Sequence, residues 1–534
     1  MNLRSLWIFY FLCTTISLLY AQTDVDAFRL SQYGTFGTAR AEALGGAITA
    51  VGADLTSATT NPAGLGLMRT STFQLSPSIS LNNTTGRFID RENTQSDFYA
   101  GIPSMGVAFT SVNYQGEDGS KRDGAVSFTF AMGYNQLENF ERNTVVQDAF
   151  NEFSSITNFF TELAGDTPPS LLGQNSFAAL AYDAFLIDSI WDGGQVGYFG
   201  AAERGQIDQT LQVQEFGRRT GWYFSLGNNL NDKIIWGATL NLESVRYTRN
   251  FTLSEEDTRG IYEFYEPRTN TGFPLELPLV DLRFFDRFTT RGTGYGGTFG
   301  LIIRPINPLR IGISARTPTF YQLRDVFDTE MSSAHIFADS IGTEIFTATT
   351  SQDFIARYQL LSPFRANVGI MYQIQKYGFL SADVEYVNYN QMRLSSQVTD
   401  VTSPDFYSFD VENQTIEENY LPVFNLRVGG EARWEMLRFR AGYAYLPGPT
   451  TVESKQYIDD IDRVSIRNIN DSRQILSLGV GYRQPNFAFD VSLVNQQQQS
   501  KEKPYILSEP EAFQPTLVRD NGTTRLTATL GFYW

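Results

Sequence analysis

The sequence predicts an all-β protein, a transmembrane β-barrel of about 14 antiparallel strands, and three observations support this class. Segments of roughly ten residues with apolar side chains at alternate positions recur through most of the chain, as in strands with one apolar face. Short turns alternate with long connections, which is typical of a barrel whose short turns face the periplasm. No later stretch reaches about 18 consecutive apolar residues, so a helical membrane protein is excluded.

The composition excludes several classes of function. The 534 residues include 41 Lys and Arg against 58 Asp and Glu, and the formal net charge of −17 argues against nucleic acid as a partner because phosphate requires a basic surface. The chain has one histidine, His335, and one cysteine, Cys13. A zinc site, a Ser-His-Asp triad or a Cys-His pair would therefore depend on His335, in a long irregular connection. We expect no enzyme activity, cofactor or bound metal.

The first segment has the organisation of an export signal. Met1–Arg4 gives a short basic start, and Leu6–Tyr20 is an apolar run. We therefore expect residues 1–21 to be a signal peptide that is removed after Ala21, leaving a chain without cysteine or disulfide. A lipid anchor at Cys13 is disfavoured because large residues precede it.

The alternating segments form six hairpins with one further strand at each end, within a barrel of residues 72–534. The predicted strands are centred on residues 73–81, 105–109, 126–134, 222–226, 234–242, 295–303, 309–315, 364–374, 380–386, 424–434, 437–445, 476–482, 487–493 and 525–534. The final strand ends on an aromatic residue, Trp534, which resembles the signal that barrel-assembly machinery recognises. We expect that machinery to bind the chain through Trp534.

The two faces of these strands differ as a bilayer requires. One face is aliphatic and aromatic, whereas the other carries Arg365, Asp383, Glu385, Arg427, Glu431, Arg438, Arg440, Asp490 and Arg525. Lipid cannot hydrate a charge, so the charged face is expected to line a polar lumen while the apolar face contacts membrane lipid. The predicted location is the outer membrane of a Gram-negative cell. A soluble β protein is the alternative, but it has no reason to place every long connection at one rim.

Residues 22–71 lack the periodicity of strands. Gly34–Gly66 consists mainly of Gly, Ala, Ser and Thr, and Thr38 is a candidate cap for a short helix over Ala39–Ala50. Small residues permit close backbone approach, so we expect this segment to fill the lumen as a plug. A flexible periplasmic tail is the alternative.

Three motifs of this segment carry a family resemblance. Residues 37–40 (GTAR), 43–47 (ALGGA) and 61–66 (NPAGLG) resemble the N-terminal hatch of the FadL/TodX-type outer-membrane transporters of long-chain fatty acids and aromatic hydrocarbons, in a divergent branch. The resemblance implies a barrel of 14 strands and passive diffusion of apolar ligands. It also implies a hatch containing Asn61, Pro62, Ala63 and Gly64.

The resemblance further implies a third strand, at about Val126–Asn135, that is kinked and opens sideways into the bilayer. Gly133 lies in that strand and could permit such a bend.

The longest expected extracellular loop covers residues 135–219 and contains a helical apolar pattern. An apolar face outside the membrane can catch a hydrophobic ligand, and such helices can equally pack against neighbouring loops. The candidate ligand-binding residues of this loop are Phe153, Phe159, Phe160 and Phe185.

Arginines of the predicted luminal face are a second group of candidates. Arg427, Arg438 and Arg440 could bind the carboxylate of an acidic ligand or pair with carboxylates of the same wall. The acidic runs Glu255–Asp257 and Asp459–Asp462 are interpreted as solvated loops rather than Ca²⁺ sites.

Three functions fit these features. The first is passive uptake of hydrophobic small molecules, such as fatty acids or hydrocarbons, through a hatched barrel. The second is a general porin, and the third is a surface-structural or adhesin role carried by the long loops. A plugged lumen favours the first, since a general porin needs an open aqueous channel.

Overall fold

The computed structural model describes most of the chain after the predicted signal peptide. The described residues are 24–113, 124–173, 176–192, 194–262, 279–338, 343–398, 400, 403, 407–450, 472–508 and 514–534. The predicted signal peptide, Cys13 and the acidic run Asp459–Asp462 lie outside these ranges. No helix in the described ranges is long and apolar enough to cross a membrane.

The described residues contain twenty strands and six α-helices. The strands are β1 (Thr72–Phe88), β2 (Arg91–Val112), β3 (Ala125–Asn139), β4 (Arg142–Asn151), β5 (Ile187–Asp192), β6 (Gln195–Gly200), β7 (Ile207–Leu230), β8 (Ile234–Glu256), β9 (Leu279–Ile306), β10 (Leu309–Arg316), β11 (Phe320–Ala338), β12 (Thr343–Leu361), β13 (Arg365–Ile374), β14 (Gly378–Asn388), β15 (Arg393–Ser396), β16 (Pro422–Trp434), β17 (Leu437–Leu446), β18 (Arg473–Arg483), β19 (Phe487–Glu502) and β20 (Leu517–Tyr533). The α-helices are α1 (Asp24–Ser31), α2 (Ala39–Ala43), α3 (Ser57–Thr60), α4 (Ile156–Ala164), α5 (Phe177–Asp183) and α6 (Asp410–Asn419). Short 3₁₀ helices cover Pro62–Leu67, Pro169–Leu171 and Tyr389–Gln391.

Fourteen of the strands close into a barrel of antiparallel neighbours. Their order is β1, β2, β3, β7, β8, β9, β10, β13, β14, β16, β17, β18, β19 and β20. The last strand pairs back to the first, with Phe73 opposite Phe532. Closure satisfies the backbone hydrogen bonds that lipid cannot supply. The predicted antiparallel barrel of 14 strands is confirmed.

An apolar belt surrounds the barrel. It includes the outward side chains between Ile234 and Leu242 of β8 and between Leu476 and Tyr482 of β18. Seven to nine tilted residues cover about 20–25 Å, close to the apolar band of outer-membrane barrels. Inside, Arg365, Asp383, Glu385, Glu431 and Arg440 are buried, as predicted for the charged face. This combination of closed barrel and apolar exterior is that of an outer-membrane protein.

Several strands extend beyond the belt on the extracellular side, where the sequence predicted irregular connections. β7, β8 and β9 contain 24, 23 and 28 residues. β11 and β12 form a long hairpin beside β9, and His335 is buried in β11 with its Nε2 atom 2.9 Å from Ser333 Oγ. Outside lipid both faces of a strand tolerate polar residues, so the alternation that identifies the membrane part is lost there.

The extracellular cap consists of the described residues of 142–173, 176–192 and 194–206. It packs on the outward ends of β7, β8, β9 and β11 and on residues 503–508. Its apolar core joins α4 and α5 to these strands and includes Ile156, Phe160, Leu211, Phe251 and Phe284. The α4 helix begins after Ser155, whose side chain accepts from the backbone N–H of Thr157 (3.0 Å).

Glu255 is buried in this cap, at the N-terminal end of α4. Its Oε1 atom accepts from the backbone N–H of Ile156 (2.9 Å) and from Gln209 Nε2 (2.6 Å), and its other oxygen accepts from Ser155 Oγ. Burial raises the pKa of Glu255 to about 7, although these three donors favour the charged form.

Glycines on the inner wall allow the N-terminal segment to contact the backbone of the barrel. Gly227, Gly237 and Gly300 are neighbours across β7, β8 and β9. A Cβ atom at Gly227 would lie 2.6 Å from the backbone nitrogen of Gly66, and one at Gly237 would lie 2.7 Å from that of Ala63. Two further cross-strand glycine pairs make similarly close contacts with the segment. Gly312 and Gly369 contact Thr49, and Gly429 and Gly442 contact Leu44. We call these seven residues the glycine row.

We expect Gly237→Ala to displace the N-terminal segment, because the added methyl group would overlap the backbone of Pro62 and Ala63. Overpacking of this kind costs about 1–3 kcal/mol. The measurement is single-channel conductance in planar bilayers, where the variant should conduct and the wild type should remain closed. Gly297→Ala in β9 is the matched control, since its methyl group would meet atoms only at 3.7 Å or more. A closed Gly237→Ala variant would contradict the tight contact.

We expect the cap to be more stable at pH 5.5 than at pH 8. The folded pKa of Glu255, about 7, lies above the ordinary value of 4.5, so its stabilising contribution is complete below pH 4.5 and is lost as the pH rises through 7. The loss between pH 5.5 and pH 8 is on the order of 2 kcal/mol.

Hydrogen exchange of the α4 amides at the two pH values, corrected for the intrinsic exchange rate, measures this difference. Glu255→Gln should remove most of it. Asp166→Asn, just after α4, is the control, because Asp166 is exposed. An undiminished pH dependence in Glu255→Gln would assign the effect to another group.

Candidate functional site: the lumen and its N-terminal segment

The segment from Asp24 to Ser71 lies inside the barrel and runs along most of its height. α1 lies in the extracellular half, where Tyr420 Oη donates to Asp24 Oδ2 (3.2 Å) beside α6. At the periplasmic end, the backbone N–H of Ser71 donates to the carbonyl of Trp534 (3.0 Å). The side chains between these ends are mostly buried against the wall.

The predicted hatch residues Asn61, Pro62, Ala63 and Gly64 form the start of a 3₁₀ helix on the glycine row. Asn61 caps this helix, since its Oδ1 accepts from the backbone N–H of Ala63 (3.2 Å). Its Nδ2 donates to the carbonyl of Thr49 (2.7 Å), which ties two stretches of the segment together. All four residues are buried.

The helix predicted over Ala39–Ala50 is shorter in the structure. Thr38 does cap it, accepting from the backbone N–H of Ala41 (3.3 Å), but the helix ends at Ala43. Gly45 and Gly46 follow with φ values of 63° and 78°, a left-handed conformation that ends the helix.

Arginines of the wall hold residues 30–36, the end of α1 and the stretch that follows it, by their carbonyl groups. Arg219 donates to the carbonyls of Leu30 and Gln32, Arg365 to that of Ser31, and Arg525 to that of Thr35. These are charge-assisted hydrogen bonds, and Arg219 and Arg365 are buried, so each bond is stronger than it would be in water.

The ring of Tyr33 lies among three guanidinium groups. Arg219, Arg316 and Arg365 have their Cζ atoms 4.2, 4.5 and 4.6 Å from its centroid. The Tyr33 hydroxyl donates to Glu243 Oε1 (2.9 Å). The neutral ring of Tyr33 therefore packs against three guanidinium groups and adds no charge to this part of the lumen.

The arginines considered as ligand-binding residues pair with the wall. Arg427 Nη2 lies 2.7 Å from Glu385 Oε2, and Arg440 Nε lies 2.8 Å from Glu431 Oε2. Arg438 instead donates to backbone carbonyls of the adjacent turn.

The structure brings two of the aromatic candidates of the extracellular cap together, since the ring centroids of Phe159 and Phe160 lie 5.5 Å apart. Phe159 and Phe160 are buried, and Phe160 packs 5.8 Å from Phe284 between ring centroids. Phe153 and Phe185 keep 56% and 38% of their surface exposed, so they lie at the outside of the cap.

An aromatic chamber, which the sequence interpretation missed, fills the extracellular half of the lumen around α1. The rings that surround α1 are Phe140, Tyr247, Phe288, Tyr321, Tyr358, Tyr389, Phe409 and Tyr420, and Phe28 of α1 packs among them. The ring of Phe28 lies 5.2 Å from that of Tyr389 and 5.5 Å from that of Tyr420. These residues come from distant strands and loops, so only the alternation of large aromatic residues at inward positions could have suggested the chamber.

Two cavities lie beneath this chamber. The hatch cavity, of about 110 Å³, is bounded on one side by Arg316, Arg365 and Arg427 and on the other by Ile48 and Leu137. The window cavity, of about 30 Å³, includes Tyr99, Glu141 and Arg142 in its lining. Phe36 and Gln136 line both cavities and therefore separate them.

The window cavity lies behind a gap in the wall between β2 and β3. Their ladder ends at Ser104–Asn135, although β2 extends on the extracellular side from Arg91 and β3 continues to Asn139. Beyond that point β3 pairs only with β7, and the Nη1 atom of Arg218 in β7 donates to Tyr99 Oη across the gap (3.0 Å).

Gly133 lies below the gap, paired with Gly106 in β2. A Cβ atom at Gly133 would overlap the Tyr223 hydroxyl and the carbonyl of Met105. The structure thus places Gly133 at a close backbone contact, two residues before the ladder ends.

The acidic run Glu255–Asp257 is engaged by protein groups. Asp257 accepts from the backbone N–H groups of Ile261 (2.9 Å) and Tyr262 (2.7 Å), and Glu255 caps α4. Within the described part of the chain, no group of three or more His, Cys, Asp or Glu side chains is placed to hold a metal ion.

Comparison with known proteins identifies the fold. No family model and no curated protein matches the sequence. A FadL homologue from Pseudomonas aeruginosa is similar in structure with a TM-score of 0.52 and 12% identity, over 94% of this chain and 99% of that one. The toluene transporters TodX of Pseudomonas putida and TbuX of Ralstonia pickettii give TM-scores of 0.46 and 0.44 at 12% and 15% identity, each over 94% of this chain and 99% of the other. The resemblance predicted from the hatch motifs is confirmed for the fold: the chain folds as a FadL-type barrel.

Proposed function

We propose that this protein carries hydrophobic small molecules across the outer membrane by passive diffusion, with residues 22–71 acting as the hatch. The observation that carries the proposal is the series of aromatic chamber, hatch cavity, constriction at Phe36 and Gln136, and gap between β2 and β3. This series runs from the extracellular mouth towards the lipid and not towards the periplasm. The filled lumen disfavours a general porin, which needs an open aqueous channel.

The aromatic chamber supports entry of an apolar molecule. Phe28 and Leu30 of α1 occupy it and are buried there. An apolar guest can replace these side chains at little cost, because the guest then buries the apolar surface of the surrounding rings that Phe28 and Leu30 buried before. We therefore propose that cargo displaces α1 on entry.

The hatch cavity favours a cargo with an acidic head. Arg316 is nine-tenths buried, and its Nε and Nη2 atoms make no hydrogen bond with a described residue. Three arginines (Arg316, Arg365 and Arg427) line this cavity, against two carboxylates (Glu42 and Glu385). An apolar acid, such as a long-chain fatty acid, would supply the missing negative charge. A neutral hydrocarbon is the alternative cargo.

The cavity is smaller than ligand pockets of about 300–1,000 Å³, so passage requires movement of the N-terminal segment. Phe36 is the residue to move, since it separates the two cavities and is held by the Arg525 guanidinium 4.2 Å from its ring centroid. The cargo then leaves between β2 and β3, where no ladder closes the wall.

We expect Phe36→Ala to raise uptake of radiolabelled oleate by cells severalfold, because the two cavities then join. Phe424→Ala is the matched control, since Phe424 faces lipid with 58% of its surface exposed. Both variants should exclude sucrose in liposome swelling. Oleate uptake equal in the two variants would contradict the route, and sucrose entry through the wild type would favour the porin function.

We expect Arg316→Gln to lower oleate uptake about tenfold while uptake of toluene stays within twofold, because only the acid uses the charge. Arg246→Gln, at an exposed position of β8, is the control. Equal losses for oleate and toluene would show that Arg316 serves the structure of the lumen. Unchanged uptake of both would leave a neutral hydrocarbon as the preferred cargo.

A further inference from the structure

The periplasmic end of the barrel is strongly basic on its inner side. Arg304 and Arg310 flank the turn between β9 and β10, Arg433 and Arg438 flank the turn between β16 and β17, and Arg483 precedes the turn between β18 and β19. By the alternation of their strands, all five side chains occupy inward positions, whereas Trp434 and Tyr482 beside them face lipid.

The hatch adds two arginines to this region. Arg40 Nη1 donates to the carbonyls of Gly52 (3.1 Å) and Ala53 (3.0 Å), and Arg310 Nη1 donates to that of Val51 (2.8 Å). Arg69 donates to Ser127 Oγ (2.9 Å). We call these seven arginines the basic mouth: Arg40, Arg69, Arg304, Arg310, Arg433, Arg438 and Arg483.

Carboxylates balance only part of this charge. Asp232 pairs with Arg69 (2.6 Å), and Glu431 pairs with Arg433 (2.8 Å), with Arg40 (3.7 Å) and with Arg440 further up the wall. Arg304, Arg310, Arg438 and Arg483 form no ion pair with a described residue. The strongest Coulombic influences on Arg310 all come from other arginines of the basic mouth, namely Arg304, Arg40, Arg433 and Arg69.

This concentration of positive charge stands out in a chain of net charge −17. Like charges crowded together raise the free energy of the mouth unless an anion lies among them. Backbone carbonyls satisfy some of the guanidinium hydrogens but do not neutralise the charge. The basic mouth is therefore suited to binding an anion from the periplasmic side.

We propose that the basic mouth is a docking surface for an acidic segment of a periplasmic protein. Its arginines face the lumen beneath the hatch, where headgroups of the surrounding bilayer do not lie. They come from several hairpins around the rim, so a chain that carries several carboxylates can pair with more of them than one small anion can. Arginine pairs with carboxylate through two parallel hydrogen bonds, which suits such a partner.

Docking would also act on the hatch. A carboxylate bound to Arg40 or Arg310 competes with the carbonyls of Val51–Ala53 for the same N–H groups. The inference goes beyond uptake, because it assigns a partner to a surface that the cargo route does not use.

Binding of a fluorescein-labelled decaglutamate peptide tests the proposal. The full mature protein is placed in nanodiscs of neutral phosphatidylcholine, and fluorescence anisotropy follows binding as salt is raised. We expect saturable binding that weakens steeply with salt, and a loss of at least tenfold in Arg438→Gln/Arg483→Gln, which touches no hatch carbonyl. Arg246→Gln/Lys501→Gln, at exposed positions on the extracellular side of the belt, is the control pair and should bind like the wild type.

Equal binding by the double variant and the control pair would overturn the proposal, as would the absence of peptide binding to the wild type. A further arm uses nanodiscs with phosphatidylglycerol. If the wild type enriches this lipid, the double variant does not, and neither binds the peptide, the basic mouth is a lipid site and the proposal fails. Oleate uptake by the double variant should equal that of the wild type. A failure of the docking proposal can therefore be distinguished from a failure of the proposed uptake function.

Discussion

The requirement that every backbone group in lipid finds a partner governs this structure. The 14 strands meet it by closing β20 onto β1, and closure creates a lumen that is an aqueous channel unless it is filled. The filling comes from the chain's own N-terminal segment, whose backbone needs partners as well. Asn61, Arg219 and Arg365 supply them, so the polar interior and the apolar exterior follow from the same constraint.

Charges inside the barrel determine how the N-terminal segment is held. Buried ion pairs contribute little net stability, because desolvation offsets attraction, but removing one partner is costly. Arg427 with Glu385 and Arg440 with Glu431 are pairs of this kind. They fix the spacing of neighbouring strands, while Arg219 and Arg365 beside Tyr33 bind the segment through its carbonyl groups. The charge distribution therefore determines how the strands and the N-terminal segment are positioned more than it stabilises the fold.

The sequence predicted the membrane part of the fold well because lipid imposes strict alternation there. Ile234–Leu242 and Leu476–Tyr482 show apolar side chains at every second position, and both lie in strands of the barrel. The hairpin β11–β12 was missed because strands in water can be polar on both faces. The glycine row was missed because a glycine gives no apolar signal, and its meaning lies in the partner across the lumen. The aromatic chamber joins residues from α1, from β8 and from the two ends of α6 (Phe409 and Tyr420), and no local sequence pattern predicts contacts between such distant segments.

Two different kinds of contact hold the upper and lower parts of the N-terminal segment. From Leu44 to Gly66, the backbone of the segment packs directly against the barrel backbone along the glycine row. Such close contacts leave no room for the segment to move. From Leu30 to Phe36, long arginine side chains reach across to it and can rotate about several bonds. The upper part can therefore yield to a passing molecule while the lower part stays seated. Hydrophobic cargo could pass in this way while no continuous water path opens through the barrel.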